Sequence, residues 1–509
     1  MPLLVDSILR LYFKYRQQQI DKVLGDPVPY QQKILKQILA RHSASEYGKK
    51  YDFGKLTGYK DFAKAVPIVK YEEIVPHVQN MMSGAKNILV TDKVSWFAKS
   101  SGTANGRSKY IPVTKHYLTQ GHLKCTWTSA SVIYNEDPTA RLFADKNLIM
   151  AGSLEQRPHD IRVGDISAIM LHHFPQIGRR FATPSFEVAL IPDWEEKIRR
   201  VAEIASKERV TLLGGVPTWT IVLFKEILRQ TGAANISEVW PHLKTYMHGG
   251  VGFDPFREEF RQYLPSKDVT YREVYNATEG YFALQNEKDV SGMSLLCDHQ
   301  IFYEFIPKEK ELEGHAHIIP LEEVELDKDY IIVITNSAGL YRYKMGDLVR
   351  FVSLAPYKIK VVGRTEQYLN VFGEELMISN TDAAITAVSR THGVSVRDYS
   401  VAPRYMDSDI NGRHDWVIEF NSPLPDSLAS FEQDLDAHLR FVNSDYDAKR
   451  YRDIALSPLK INVLQSGTVD QWLRQNNKYG GQNKLTRLSN DRLLLDKLLA
   501  FSEGRLMHQ

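Results

Sequence analysis

Cysteine is scarce in this 509-residue chain, which contains only Cys125 and Cys297. The two residues lie far apart and form no CxxC pair, so neither a disulfide framework nor a structural zinc site is expected. This usage is typical of a reducing compartment, and we predict a cytoplasmic protein. Neither cysteine carries a nucleophile signature, and both are predicted to be small buried hydrophobic residues.

The chain also lacks a marked charge imbalance and a long apolar run. Its formal net charge is +2, which gives no reason to expect nucleic acid or an anionic membrane as the main partner. No obligate protein partner is indicated either. Polar residues interrupt the apolar stretch 1–24, so it forms neither a membrane span of ~20 residues nor a signal-peptide core. An amphipathic packing helix is expected there, with a membrane-surface helix as the alternative.

Alternating helical and extended patterns predict an α/β fold, and the length of the chain predicts at least two domains. We expect a strand at Ile88 to Val94 that delivers a glycine-rich loop, and a helix at Trp194 to Ala205. The alternation continues to about residue 360, and a compact α+β unit of roughly 140 residues follows. In this unit Asp415 to Phe420 is predicted to be a strand. One helical face is expected at Leu428, Phe431, Leu435, Leu439 and Val442.

The first motif with chemical potential is Ser100 to Lys109, which reads SSGTANGRSK. Glycines let backbone N–H groups approach phosphate oxygens, hydroxyls add donors, and lysine supplies a positive charge. The order of residues is neither that of a Walker A loop nor that of a dinucleotide fingerprint. A solvated loop with an incidental lysine fits the same letters equally well.

The second motif is Tyr275 to Gly280, YNATEG, which follows an apolar strand. A threonine hydroxyl beside a carboxylate, here Thr278 and Glu279, can bind a phosphate oxygen and a magnesium ion together. Magnesium prefers one or two protein carboxylates with phosphate and water, so one glutamate suffices. A polar turn that caps the next element is the alternative.

Two further motifs lie towards the C-terminus. In the segment Gly339 to Asp347, GLYRYKMGD, the Asp347 carboxylate can accept hydrogen bonds from both ribose hydroxyls. A surface turn explains the same residues. Near the end of the chain, Lys484 follows two glycines, and a mobile lysine there can neutralise charge that develops at a phosphate and a carboxylate. Taken alone, Lys484 is one lysine among many.

In their order and spacing, these motifs resemble the adenylate-forming superfamily of acyl-CoA synthetases, peptide-synthetase adenylation domains and luciferases. In detail the chain resembles one branch, the Gretchen Hagen 3 family of auxin-responsive acyl-acid amido synthetases. The segment Val66 to Ile74, VPIVKYEEI, looks like the entry segment of that family. The most diagnostic piece is Thr335 to Tyr343, TNSAGLYRY, followed by Gly346 and Asp347. The resemblance covers nearly the whole chain.

The resemblance implies a large N-terminal mixed-sheet domain of the adenylate-forming type, residues 1–363, that binds ATP and the acyl group. A smaller, mobile α+β lid domain, residues 364–509, is implied to follow. The implied cofactors are ATP and Mg²⁺, with Glu279 as the metal ligand. The implied catalytic residues are Lys484, Glu279 and Thr278. The implied ATP- and AMP-binding residues are Ser100, Ser101, Gly102, Thr103, Gly106, Lys109, Tyr275, Asn276, Asp347 and Arg364.

Two details depart from the family pattern. Plant members commonly carry serine where this chain has Thr278, a change that keeps the hydroxyl. The segment Tyr479 to Leu488 matches the family only loosely, so Lys478 is a rival to Lys484 as the catalytic lysine.

The acyl pocket is less legible than the nucleotide site. Two glycine turns are expected to face the acyl group, and the candidate acyl-binding residues are Trp219, Gly249 and Gly250. The pair His172 and His173 suggests a metal site, but adjacent side chains point apart on regular elements and no third ligand lies at a suitable spacing. We reject that site.

The resemblance implies a reaction in two halves. A small-molecule carboxylic acid is activated by ATP as an acyl-adenylate, and an amine, expected to be an amino acid, then takes the acyl group to form an amide. One alternative is an acyl-CoA ligase that makes a thioester from the same adenylate. Another is a catalytically silent nucleotide-binding protein on the same fold.

Overall fold

Strongly apolar segments in the middle of the chain become strands of a large mixed sheet. The computed structural model describes residues 2–104, 107–250, 253, 256–288, 290–365, 368–369, 374, 376–404, 412–421, 423–443, 446–447, 450, 456–476, 485–489 and 491–506. Seven of the eight residues of Asp329–Asn336 are buried, as expected for a strand that is covered on both faces. In the described residues this sheet has twelve strands, in the order Ile319–Pro320, Ile301–Pro307, Asp329–Asn336, Tyr343–Leu354, Tyr357–Arg364, Met293–Leu295, Gly280–Leu284, Thr270–Ala277, Thr245–Gly249, Val210–Gly214, Lys146–Ile149 and Ala182–Thr183.

A second sheet carries the glycine-rich segment. Its strands run in the order Arg107–Val113, Trp96–Ala104, Ile161–Gly164 and Leu154–Arg157. The longer helices of the same part of the chain are Pro2–Gly25, Val28–His42, Tyr59–Ala65, Tyr71–Met82, Leu123–Glu136, Ile166–His172, Trp194–Ala205, Pro217–Thr231 and Arg257–Tyr263. The shorter ones are Glu46–Lys50, Lys115–Tyr117, Gln176–Arg179, Phe186–Ala189 and Ile236–Val239.

Local signals explain where these helices begin and end. Asp193 accepts a hydrogen bond from the Glu196 amide at 2.7 Å, which caps the first turn of Trp194–Ala205. The helix Pro217–Thr231 begins at a proline and stops at Gly232, which has a φ of +70°. The prediction of a helix at Trp194 to Ala205 is confirmed.

The prediction of a strand at Ile88 to Val94 is wrong, because the strand begins only at Trp96. Ile88, Leu89 and Val90 are buried, as their apolar character requires, but they belong to no sheet. The Ile88 carbonyl instead accepts a hydrogen bond from the Tyr47 amide at 3.0 Å. The segment is buried in a core cluster that contains both helix residues, such as Leu35 and Leu39, and strand residues, such as Phe97 and Phe302, without pairing to a strand itself.

The described residues divide into two compact units. The first comprises 1–251, 260–345 and 349–361, and the second comprises 252–259, 346–348 and 362–509. The second unit contains a three-stranded sheet in the order Val396–Arg404, Arg413–Phe420 and Lys460–Leu464, and a two-stranded pair of Tyr368–Leu369 with Leu376–Met377. Its helices include Ile378–Thr391, Leu428–Val442, Thr468–Gln475 and Leu493–Leu506.

The core of the second unit forms as its sequence pattern indicates. Trp416 and Ile418 from the strand Arg413–Phe420 pack with the fully buried Phe431, Leu435 and Leu439 of the following helix. The predicted helical face is therefore the buried face. The predicted fold class, α/β with a large mixed-sheet domain and a smaller α+β C-terminal domain, is confirmed.

Candidate active site

The turn Thr278-Glu279 joins two antiparallel strands, Thr270–Ala277 and Gly280–Leu284, in which Gly280 lies opposite Ala277. Thr278 and Glu279 are only 6% and 7% exposed. The turn therefore holds a hydroxyl and a carboxylate side by side at a strand end. These oxygen donors suit magnesium, a hard cation that needs few protein ligands.

This turn lies at a sheet edge shared with the candidate acyl-binding residues. The strands Val210–Gly214, Thr245–Gly249 and Thr270–Ala277 are consecutive and parallel. Their carboxyl ends lead into the turn before Trp219, into Gly250 and into Thr278-Glu279. Ligands of open α/β sheets bind in crevices outside the carboxyl ends of the strands. The chain topology therefore brings the acyl candidates to the same edge as Thr278 and Glu279.

The two glycines at this edge are there for steric reasons. A Cβ on Gly249 would lie 2.4 Å from the Val274 carbonyl oxygen, so only glycine allows these strands to approach so closely. Gly250 has a φ of +81°, in the region that glycine adopts without strain. Trp219 is buried on the helix Pro217–Thr231.

The glycine-rich motif is a β-hairpin and not a free loop. Ser100 pairs with Lys109 and Thr103 with Ser108, and the register shifts between Ser100 and Thr103, across Ser101 and Gly102. Gly106 lies outside the described residues. The Lys109 ammonium lies 5.5 Å from the centre of the Tyr71 ring.

Tyr275 and Asn276 precede the Thr-Glu turn on its first strand. The Tyr275 ring is buried and lies 4.7 Å from the Phe282 ring, centre to centre. Asn276 pairs with Tyr281 across the hairpin.

Burial raises the pKa of nearby Tyr71, and the charge of Glu279 raises it further. The Glu279 carboxylate thus acts on the same tyrosine that Lys109 contacts.

Residues from two distant parts of the chain meet at the backbone of the Thr-Glu turn. The carbonyl oxygen of Glu279 accepts hydrogen bonds from Tyr117 Oη at 2.7 Å and from Asn336 Nδ2 at 2.9 Å. Tyr117 follows the strand Arg107–Val113 of the glycine-rich hairpin, and Asn336 begins the NSAGLYRY stretch. This meeting point joins residues 162 and 57 positions apart in the chain.

The side chains of the Gly339 to Tyr343 segment make internal contacts that stabilise the fold. Arg342 is buried with a φ of +47°, and its guanidinium binds the fully buried Glu304 carboxylate at 2.8 to 3.1 Å. The same side chain donates to the carbonyls of Ala63 and Val66, at 2.7 and 2.8 Å. Tyr341 Oη donates to the Leu89 carbonyl at 2.7 Å. Sequence reasoning missed this role, because nothing near Arg342 marks Glu304 as its partner.

Asp347 and Arg364 form an ion pair within the second unit. The Arg364 Nε lies 2.5 Å from Asp347 Oδ1, and the aspartate is buried while the arginine is partly exposed. Next to them, the Thr365 amide donates to the Gly346 carbonyl at 2.7 Å. Two of the implied ATP- and AMP-binding residues are therefore neighbours, and Arg364 orients the Asp347 carboxylate.

Family models match the chain in three consecutive pieces. The GH3 family N-terminal domain matches residues 16–199 and 182–269, the central domain matches 294–364, and the C-terminal domain matches 379–493. The chain belongs to the GH3 family. The resemblance predicted from the sequence is thereby confirmed.

Named relatives of this GH3 protein are amido synthetases. The indole-3-acetic acid-amido synthetase GH3.4 of Arabidopsis thaliana is 23% identical and covers 89% of this chain and 87% of its own. The jasmonoyl–L-amino acid synthetase GH3.5 of Oryza sativa subsp. japonica is also 23% identical, over 91% of this chain and 92% of its own. The predicted enzyme class, a ligase that forms an amide, is the class for which these relatives are named.

Solved structures support the fold. The AtGH3.15 acyl acid amido synthetase in complex with 2,4-DB has a TM-score of 0.80 at 16% identity, and covers 97% of this chain and 96% of its own. A 2-hydroxyisobutyryl-CoA ligase in the postadenylation state has a TM-score of 0.60 at 13% identity, over 96% and 93% of the two chains. The predicted adenylate-forming fold is confirmed.

The remaining predictions concern the lysines, the membrane and metals. Lys484 and its rival Lys478 lie outside the described residues. Among the described helices, none is long and apolar enough to cross a bilayer. In the part of the chain that the structure describes, no three His, Cys, Asp or Glu side chains form a group that could hold a metal ion. The His172 and His173 rings each pack 4.9 Å from Trp96.

Both cysteines are buried and free, as predicted. Burial raises the pKa of both thiols well above the usual range. Since the thiolate is the nucleophilic form, neither residue is suited to covalent catalysis.

Proposed function

We propose that this GH3 protein uses ATP to activate a carboxylic acid as an acyl-adenylate and then transfers the acyl group to the amine of an amino acid. A carboxylate oxygen of the acid attacks the α-phosphorus, and pyrophosphate leaves. The amine then attacks the acyl carbon, an amide forms, and AMP leaves. The observation that carries the proposal is family membership along three consecutive domains, with Thr278-Glu279 at the carboxyl edge of the parallel strands.

The side chains of this site divide the work by their chemistry. Glu279 and Thr278 are proposed to hold Mg²⁺, which when bound neutralises charge on the phosphates. Their oxygen donors and their burial at the turn fit that ion. Lys109, at the Ser100 end of the hairpin, is proposed to face a phosphate as a positive charge. Asp347, oriented by Arg364, is proposed to accept hydrogen bonds from the ribose hydroxyls.

Lys484 is proposed to stabilise the charge that develops during adenylation. We also propose that residues 1–363 form the domain that binds ATP and the acyl group, and that residues 364–509 form a lid. The acyl group is proposed to bind near Trp219, Gly249 and Gly250. Two buried free cysteines fit a reducing compartment, and we propose the cytoplasm as the place of action.

Two assays test the reaction. Pyrophosphate exchange with ATP, Mg²⁺ and a panel of carboxylic acids tests adenylation, and the panel includes indole-3-acetic acid, jasmonic acid and 2,4-DB because relatives are named for them or bind them. Mass spectrometry with mixed amino acids, or with coenzyme A, identifies the acceptor. Neither exchange nor AMP with any acid would show that adenylation is wrong, and a thioester without an amide would favour the CoA ligase.

A lysine pair separates an active enzyme from a silent nucleotide-binding protein. Lys484→Ala is expected to lower the exchange rate strongly, whereas Lys478→Ala, the matched control, leaves it nearly unchanged. ATP binding without turnover, unaffected by Lys484→Ala, would favour the silent protein. The reverse order of the two variants would move the catalytic role to Lys478.

A further inference from the structure

The carbonyl oxygen of Glu279 is held by two donors that are themselves buried. Tyr117 Oη and Asn336 Nδ2 bind it from different segments, at 2.7 and 2.9 Å, and both residues are almost inaccessible to solvent. A carbonyl oxygen has two lone pairs, so its capacity is filled. The peptide unit after Glu279 is therefore fixed from both sides.

Each donor is locked in place by other contacts. Thr114 Oγ1 accepts a hydrogen bond from the Tyr117 amide at 3.0 Å and donates one to the Ser337 carbonyl at 3.3 Å. The Tyr117 ring also packs edge-on against His122, with 5.1 Å between ring centres. His122 is buried and ends a π-helical turn, Leu118–His122, a local irregularity that is frequent at functional sites.

Asn336 is anchored through its other side-chain atom. Its Oδ1 accepts hydrogen bonds from the amides of Ala338 and Leu340, at 3.0 and 3.3 Å. The side-chain oxygen of Asn336 thus accepts hydrogen bonds from the following turn, while its side-chain nitrogen donates to the Glu279 carbonyl.

Gly280 leaves room for this arrangement. A Cβ at this position would lie 2.6 Å from Tyr117 Oη and 2.7 Å from Ile301 Cδ1. Its φ does not require glycine, so close approach of the tyrosine hydroxyl is the physical reason for glycine directly after Glu279.

We propose that Tyr117 and Asn336 are positioning residues that preset the Thr278-Glu279 turn for ATP and magnesium, an inference that rests on the proposed function. Neither residue acts on the reacting atoms. Both restrict the turn to one geometry before ligands arrive, and a misplacement of about 1 Å at a catalytic group can cost on the order of 10²-fold in rate. The two buried hydrogen bonds supply this restriction without using the side chains of the turn.

The main test removes one hydroxyl. Tyr117→Phe keeps the ring and deletes the donor, and Tyr303→Phe is the matched control. Tyr303 is equally buried in the same core cluster, but its Oη lies 3.4 and 3.3 Å from the carbonyls of Phe282 and Leu296 and does not reach the turn. The measurements are hydrogen–deuterium exchange of a peptide spanning 270–280, which ends before the Phe282 contact of Tyr303, in the ligand-free protein, and titration of a non-hydrolysable ATP analogue with Mg²⁺.

Tyr117→Phe is expected to speed exchange at the turn and to weaken binding of the analogue with Mg²⁺ by about tenfold, the loss of roughly one hydrogen bond. The KM for the carboxylic acid should stay unchanged, and Tyr303→Phe should resemble the wild type in each measurement. The proposal would be overturned if Tyr117→Phe kept the wild-type hydrogen–deuterium exchange at the turn and the wild-type affinity for the ATP analogue. It would also be overturned if Tyr303→Phe changed both quantities equally.

A second variant covers the case in which Tyr117→Phe does not fold. Thr114→Val keeps the shape of the side chain and removes the hydroxyl that fixes the Tyr117 amide, so a smaller change in the same direction is expected. Wild-type behaviour of this folded variant would then overturn the proposal. Failure of the proposed function would look different, because the wild-type protein itself would then show no pyrophosphate exchange. Hydrogen–deuterium exchange at the turn needs no reaction, so it tests the positioning role separately.

Discussion

The Thr278-Glu279 turn and the Gly339 to Tyr343 segment both contain charged residues that suggest chemistry, and they have opposite roles. In the turn, the backbone carbonyl is tied to Tyr117 and Asn336, and a hydroxyl and a carboxylate stand at the carboxyl edge of the parallel strands. In the segment, the guanidinium of Arg342 is buried against Glu304. The turn is the proposed ligand site, and the segment supports the fold.

The segment that identifies the family is therefore not the one proposed to perform its reaction. The TNSAGLYRY pattern is the most diagnostic piece of the sequence, yet its arginine and its tyrosines are consumed by internal contacts. Thr278-Glu279 is a shorter motif, and the structure adds that it lies at the carboxyl edge of the parallel strands.

The largest expected effect is on stability, in the supporting segment. Arg342→Met leaves the Glu304 carboxylate buried without its cation, and loss of one partner of a buried pair costs about 3–5 kcal/mol. The urea midpoint of unfolding measures the loss. Arg350→Met is the control, because Arg350 pairs with Asp329 at the surface and is 45% exposed, and about 1 kcal/mol or less is expected there.

The stability deficit of Arg342→Met should depend on pH. Burial already raises the pKa of Glu304, and removal of the guanidinium raises it further. Above the unfolded pKa of about 4.3, the folded variant keeps a proton that the unfolded chain releases, so its stability falls as pH rises. The deficit should be smallest below about pH 4. Equal stability of wild type and variant at pH 8 would show that the segment is not a support.

The second effect is on catalysis, in the turn. Glu279→Gln keeps the size of the side chain and removes the charge proposed to hold Mg²⁺, so pyrophosphate exchange should fall on the order of 10²-fold. The urea midpoint should change little, because Tyr117 and Asn336 bind the backbone carbonyl and not the carboxylate. Glu287→Gln, on a half-exposed residue paired with Lys358, is the control. Wild-type exchange in Glu279→Gln would remove the turn from the active site.

The smallest effect is on nucleotide affinity, in the second unit. Asp347→Asn keeps an acceptor oxygen but loses the charge and weakens the bond to Arg364, so the KM for ATP should rise about tenfold. Titration of ATP against the variant checks this value. Asp329→Asn disrupts a comparable pair with Arg350 at the surface and should leave the KM unchanged. An unchanged KM in Asp347→Asn would argue against a role at the ribose.

Elements with strong local signals could be predicted from the sequence. The helix Trp194–Ala205 has an aspartate cap and acidic residues in its first turn, and these signals act within a few residues. Ile88 to Val94 shows the limit, because an apolar run only requires burial. Side chains of neighbouring helices and strands provided that burial, and the segment itself pairs with no strand.

Long-range partners could not be predicted. Arg342 and Glu304 are 38 positions apart, and Tyr117 and Glu279 are 162 apart. Many carboxylates and carbonyls compete for such partners in an unfolded chain, and no local pattern ranks them. Tyr117 had no signal in the sequence that distinguished it from the other 25 tyrosines.

The sequence by itself determined the family and the α/β class, because motif order and local periodicity can be read along the chain. It also supplied the carboxylates, hydroxyls and lysines proposed to bind ATP and the adenylate. Only the tertiary structure decided which charges are taken up by internal pairs, as Arg342 is by Glu304. Arg342 supports the fold because folding places its guanidinium beside the buried Glu304 carboxylate. Thr278-Glu279 was a candidate from the sequence, and the parallel strands bring it to the same sheet edge as Gly249 and Gly250.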